Sequence, residues 1–113
     1  MVPRGEGSIF FTGGRTSVRP RANLTSFGFV KAGIRNFVAA AHLELGAKGI
    51  HFAHFNIDGG IDNPRTRQRD PHLVANDGLI ATDAIAELYY QTHLQPRSCW
   101  SLDVECRPWI EPL

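Results

Sequence analysis

Two rhythms of apolar residues run along this chain, and the points where one gives way to the other mark its elements. "GSIFFTGG" is a short apolar block bounded by glycines, which predicts a buried strand from about Ser8 to Thr12. "RTSVRPRANLT" is polar and proline-bearing, hence a loop. Phe27, Val30, Ile34, Phe37, Val38, Ala41 and Leu45 then recur at steps of three or four, the stripe of an amphipathic helix. Thr25 or Ser26 suits its N-cap, and Gly46 suits a left-handed C-terminal cap. In "GIHFAHFNIDGG" both alternating faces are apolar: Ile50 and Phe52 on one, Ala53, Phe55 and Ile57 on the other. A strand covered on both faces belongs to a parallel sheet. Residues Ile61 to Leu79 read as one long loop. A second helix follows, with Thr82 as N-cap, Asp83 at its positive end, Ile85, Leu88, Tyr89 and Thr92 on one face, and Pro96 as its stop. "CWSLDVECR" reads as a third strand with Trp100, Leu102 and Val104 on one side.

The order is β-α-β-α-β: an α/β, partial Rossmann-like (doubly wound) fold with a three-stranded parallel sheet, and residues 1–113 form a single domain. At 42% hydrophobic and 20% charged, the chain has the make-up of an ordinary globular protein. A formal charge of +1 gives no general pull toward nucleic acid or anionic membrane. The apolar runs fall far short of the ~20 residues a spanning helix needs, and "MVPRGEGS" is no signal peptide. Neither nucleic acid nor membrane is therefore expected as a partner. Cys99 and Cys106, if both lie on the third strand, stand roughly 23 Å apart at ~3.3 Å per residue, too far for a disulfide. Reduced thiols point to the cytoplasm.

Several residues invite chemistry and mostly decline it. His51 and His54 are three apart on a strand and face opposite ways, so they cannot share a metal ion, and no other His, Asp or Glu set has ligand spacing. Arg65, Arg67 and Arg69 lack interleaved aromatics and are flanked by Asp62 and Asp70, which favours a solvated segment over a nucleic-acid contact. Tyr89 joins an apolar stripe and Tyr90 points away from it. Lys31 is different. It stands among Phe27, Phe29, Val30 and Ile34, and lysine is almost never buried unpaired. It is either a side chain snorkelling to water or one facing a cleft.

"GSIFFTGG", "FGFVKAG", "HLELGAKGIHFAHFNIDGGID", "TDAIAELYY" and "VECRPW", in this order and spacing, resemble the C-terminal half of a short-chain dehydrogenase/reductase. The resemblance spans nearly the whole chain and implies a Rossmann-type sheet, NAD or NADP as cofactor, and a small carbonyl or alcohol as substrate. In that family a Tyr-x-x-x-Lys pair opens the helix. The lysine holds the cofactor ribose and lowers the tyrosine pKa, so that the phenol exchanges protons near neutral pH. Lys31 matches this lysine, one turn beyond Phe27, which occupies the tyrosine position.

Further departures follow. Gly14 falls at the position of the catalytic serine, with Thr12, Thr16 and Ser17 as nearby hydroxyls. The glycine-rich turn that binds pyrophosphate in the family is not among these residues. "NIDGGIDNP" is similar to the family's post-strand cofactor turn, with Asp58 for proline, Gly59 kept and Asn63 for threonine. The resemblance thus implies Lys31, Gly59, Gly60, Ile61 and Asn63 as cofactor contacts, with Ile61 and Asn63 at the positions whose backbone meets the nicotinamide carboxamide. The Asp58 charge weighs against tight phosphate binding. The expectation is an oxidoreductase framework that does not bind NAD(P)H usefully or turn over alone. It is expected to associate with itself or as a homo-oligomer; the alternative is a non-catalytic remnant serving as an association module.

Overall fold

The computed structural model describes all 113 residues. Its centre is the strand that the sequence marks as apolar on both faces. This strand, β2 (Ile50–Ile57), has all eight residues buried. It pairs in parallel with β1 (Gly7–Gly14) on one side, from Gly7 opposite Ile50 to Gly14 opposite Ile57. On its other side it pairs in parallel with β5 (Asp103–Cys106), from His54 opposite Asp103 to Ile57 opposite Cys106. The sheet has three strands in the order β1-β2-β5.

The two faces of β2 collect different helices. Ile50 and Phe52 pack with Val38 and Ala41 of α1 (Thr25–Leu45), and Ile9, Phe11, Leu45 and Leu102 border them. Ala53, Phe55 and Ile57 pack with Ile80, and with Ile85, Leu88 and Tyr89 of α4 (Thr82–His93). The Tyr89 ring stacks on Phe55 at 3.6 Å between centroids. Burying a phenylalanine such as Phe55 stabilises the fold by about 1.5 to 3 kcal/mol.

The three-layer plan thus follows the apolar pattern, and the differences from expectation are local. Residues 61–79 are not one loop. They hold β3 (Gly60–Ile61), α2 (Pro64–Arg69), α3 (Pro71–Ala75) and β4 (Leu79–Ile80), and β3 and β4 form a small parallel pair. Asn63 caps α2 by accepting the Thr66 N–H at 2.9 Å, and Pro64 and Pro71 occupy the first position of each helix, where no N–H is needed. Leu24 and Ala81, not Thr25 or Thr82, precede α1 and α4, and neither helix has a side-chain cap. Gly46 stays right-handed and opens a 3-10 turn; the left-handed turn comes at Gly49, with φ 85°. The segment Arg97–Cys99 is a 3-10 turn, so Cys99 is not on a strand; both cysteines are free thiols. Leu102 precedes β5 and packs on the α1 side, whereas Val104 packs on the α4 side.

β1 pairs only with β2, which leaves its other edge unpaired, and Ile9, Phe10 and Phe11 remain half-buried. No helix is long and apolar enough to cross a membrane.

Candidate active site

In open parallel sheets, ligands bind beyond the carboxyl ends of the strands. Here those ends carry Gly14, Ile57 and Cys106. Gly14, Thr16, Phe27, Ile57, Asp58 and Gly59 line one cleft of about 380 Å³ at this edge. The fold therefore brings together the residues at the serine and tyrosine positions with the start of the post-strand turn. Phe27 is 51% exposed, a large apolar ring left facing open space.

Lys31 lies one turn along α1. Its ammonium donates to the Thr12 carbonyl at 3.3 Å and sits 5.6 Å from the centroid of the Phe27 ring. The cation is thus neither buried nor adrift: it bridges the end of β1 and the aromatic ring, within cation–π range.

The rest of the sequence-derived set is more dispersed. Gly59 adopts φ 153°, and a Cβ there would press on Pro108 and Ile80, so only glycine fits the turn. Ile61 continues into β3 opposite Ile80, and its carbonyl accepts from the Asn63 side chain at 3.1 Å. Gly60 lies in the same short strand, beneath Leu79 and Thr66. The Asn63 side chain is committed to this local turn and to the α2 cap. Gly60, Ile61 and Asn63 do not line the cleft that holds Gly14, Phe27 and Gly59.

Asp58, read from sequence as a charge that weighs against phosphate binding, is 1% exposed and stands among three arginines. Arg107 donates to its Oδ2, Arg15 Nε stands 3.5 Å from Oδ1, and Arg19 Nη1 stands 4.0 Å from Oδ2. A buried carboxylate without partners is strongly unfavourable, so this cluster holds the turn in place. Arg15 also donates to Glu111 at 2.7 Å and to the Pro112 carbonyl at 2.6 Å, pinning the tail across the end of the sheet. The signal available in the sequence was the run of arginines in "GGRTSVRPR" facing a lone acid in "NIDGG".

A second polar chain crosses under α1. Arg35 forms a two-pronged ion pair with Asp103, at 2.7 and 3.1 Å, and His54 Nδ1 lies 3.0 Å from Asp103 Oδ1. His54 is buried, and its Nε2 has no partner. It faces the space next to Gly13, where any Cβ would collide with that nitrogen and with Ser17 Oγ. Ser17 Oγ in turn accepts the Gly14 N–H at 3.2 Å. Burial pushes the His54 pKa down, outweighing the pull of Asp103. Burial tends to raise Asp103, but the Arg35 guanidinium and His54 outweigh it and hold the carboxyl below its ordinary value. The arrangement fixes the turn that presents Gly14.

On the opposite face, His51 stacks flat on Trp100 at 4.7 Å and bonds the Ser101 carbonyl at 2.8 Å, so the two strand histidines do point apart. No group of three or more His, Cys, Asp or Glu side chains is arranged to hold a metal. Arg67 and Arg69 pair with Asp62 and Asp70, the acids that flank them.

No family model matches the chain, and no curated protein matches it. Solved structures do. A short-chain dehydrogenase from Rhodopseudomonas palustris matches at TM-score 0.70 and 31% identity, over 96% of this chain and 41% of that one. The closed form of a serine dehydrogenase complexed with NADP+ matches at TM-score 0.83 and 18% identity, over 100% of this chain and 48% of that one. An actinorhodin polyketide ketoreductase with NADPH matches at TM-score 0.77 and 15% identity, over 100% and 50%. The chain thus spans between 41% and 50% of the length of these proteins. Its resemblance to the short-chain dehydrogenase/reductase family holds in structure as well as in sequence, over up to half of such a chain.

Proposed function

We propose that residues 1–113 act as one domain equivalent to the C-terminal half of an NAD(P)-dependent short-chain dehydrogenase/reductase. Such an enzyme moves a hydride between nicotinamide and a small carbonyl or alcohol. The observation that carries this reading is the shared cleft of Gly14, Phe27 and Gly59, with Lys31 one turn away at the end of β1. In this reading NAD or NADP lies across the carboxyl ends of the strands. Lys31 meets the ribose, and Gly59, Gly60, Ile61 and Asn63 form the turn beside the nicotinamide. The bound cofactor supplies the hydride. Phe27 has no exchangeable proton and Gly14 no hydroxyl, so this chain does not supply the usual proton transfer.

These 113 residues also hold no glycine-rich pyrophosphate turn, so binding is weak and turnover is absent. Calorimetric titration with NADPH and NADH tests this. The expected dissociation constant is weaker than about 100 µM, and weaker still for Lys31→Ala. Binding at tens of micromolar or tighter would overturn the claim that the chain is incomplete as a cofactor site. The proposed setting is the cytoplasm, with neither nucleic acid nor membrane as a partner.

A second reading, a non-catalytic association module, is favoured by a specific feature. On α1, Phe29 is 80% exposed, Phe37 54% and Leu43 83%. Self-association through this face and the open β1 edge would be detected by light scattering at micromolar concentration. A monomer there would exclude it.

A further inference from the structure

Beside the cleft, five arginines face four carboxylates, and the pairing is uneven. Arg107 serves Asp58 and Glu105. Arg15 serves Glu111 and the tail carbonyl, and Arg69 serves Asp70. Each of these acids has a close arginine, with Arg107 shared by Asp58 and Glu105. Two guanidinium groups make no hydrogen bond. Arg19 Nη1 is buried with no hydrogen-bond partner, its nearest acid oxygen being 4.0 Å away. Arg21 is exposed, and only its backbone carbonyl is engaged, by the Leu24 N–H.

Both line a depression of about 520 Å³ walled by Arg15, Arg19, Pro20, Arg21 and Glu111, with no apolar side chain except the proline. Arg15, Arg21 and Glu111 are shared with the cleft that holds Gly14, Phe27 and Gly59. An unmet guanidinium donor is costly when buried, and a planar fork of N–H groups matches a carboxylate or a phosphate.

We infer that Arg19 and Arg21 bind the anionic group of a small carboxylate- or phosphate-bearing carbonyl or alcohol whose carbon skeleton lies over Phe27 and Gly14. The inference rests on the reading of the cleft given above and adds the charge class of its substrate. The two guanidinium groups hold the head of the ligand in the polar depression. The apolar wall of Leu24, Phe27 and Ile57 receives its body. Glu111 restrains Arg15, which leaves the anion to Arg21, which pairs with no acid, and to Arg19, which makes no side-chain hydrogen bond.

The test is an amide map of the ¹⁵N-labelled chain, titrated with sodium 3-hydroxybutyrate and, in parallel, with the methyl ester of the same acid. The acid is expected to shift the amides of residues 19–24, and the neutral ester to leave them in place. Arg21→Gln, a substitution at an exposed and unbonded side chain, should weaken the acid by about tenfold, the loss of one charge-assisted hydrogen bond. Arg21→Lys should recover part of the loss. Arg65→Gln, at an exposed side chain away from the depression, should change nothing. Equal shifts from acid and ester, or an unaltered titration in Arg21→Gln, would overturn the proposal. Nicotinamide mononucleotide separates the sources of the anion. If it displaces 3-hydroxybutyrate, the pair serves the cofactor phosphate and the substrate assignment is wrong; binding of both together supports it. If the mononucleotide shifts no amide at Lys31 or Gly59 while 3-hydroxybutyrate still shifts residues 19–24, the cofactor reading fails and the anion site stands.

Discussion

The two faces of β2 look alike in the sequence and are treated differently by the fold. On the α4 side, Ala53, Phe55 and Ile57 are sealed by Ile80, Ile85, Leu88 and a stacked Tyr89. On the α1 side, a helix of 21 residues buries only Val38 and Ala41 and leaves Phe27, Phe29, Phe37 and Leu43 half or more exposed. The α1 side also carries a polar chain, Arg35 to Asp103 to His54, below an apolar helix. One face is a finished core. The other offers more apolar surface than the sheet can cover, and its N-terminal end borders the cleft. Stability should therefore reside on the first face, and recognition and association on the second.

The sharpest way to break this contrast is Phe55→Ala. Phe55 is 0% exposed and contacts both Phe10 and Tyr89. The substitution should cost about 3 to 5 kcal/mol in urea unfolding, enough to unfold a marginal chain. A loss below about 1 kcal/mol would show that the α4 face is not the core it resembles.

Gly13→Ala tests the polar chain on the other face. The new methyl would meet His54 Nε2 and Ser17 Oγ, so one must shift, at a cost of about 1 to 3 kcal/mol. A neutral outcome would mean that the β1 turn is loose where the structure shows it tight.

pH gives the next effect in size. Burial lowers the pKa of both His51 and His54 in the folded chain. The unfolded chain then binds more protons, so stability rises with pH and is full above the ordinary histidine value of about 6.5. It falls as pH drops below that value, by up to about 1.4 kcal/mol per unit for each histidine until its folded pKa is reached. Asp103, held low, adds a further loss only below about pH 4. Denaturant midpoints from pH 8 to 5 measure this, and His54→Gln should flatten the slope. A flat profile from pH 7 to 5 in the parent chain would contradict the burial of these rings.

The smallest expected change in stability comes from the exposed face. Phe29→Ser with Leu43→Ser should alter unfolding free energy by no more than about 0.5 kcal/mol each, yet lower the scattering mass of any associated form. Phe27→Tyr in turn should leave carbonyl turnover at background, because neither a serine hydroxyl at position 14 nor the pyrophosphate turn returns with it. Clear NADPH oxidation by that variant would overturn this.

Much of this contrast is legible in the chain itself. Unbroken apolarity over Ile50–Ile57 identifies a strand buried on both faces, and the three-four stripe locates α1 and its over-wide apolar surface. Other features follow no periodicity. α2 and α3 hold only six and five residues, too short for a stripe to declare itself, and Asn63 and Pro71 reveal their purpose only once the turns exist. Leu102 and Val104 obey the period of a strand on paper, but Leu102 lies ahead of β5 and turns to the other face. The arginines around Asp58 come from segments far apart in sequence, so only folding could show that Arg15, Arg19 and Arg107 converge on this acid while Arg21 pairs with none. Lys31 is the intermediate case: its neighbours in sequence raise the question, and the Thr12 carbonyl and the Phe27 ring answer it.

The central claim is that the carboxyl edge of the sheet, where α1 leaves Phe27 open, is the recognition site. Titration of the ¹⁵N-labelled chain with nicotinamide mononucleotide, up to about 10 mM to reach a millimolar dissociation constant, tests it most directly. The account predicts that the largest amide shifts fall at Gly14, Lys31 and Gly59 and diminish in Lys31→Ala. Shifts concentrated at the opposite edge, around His51, His93 and Arg97, or none at any residue, would contradict it.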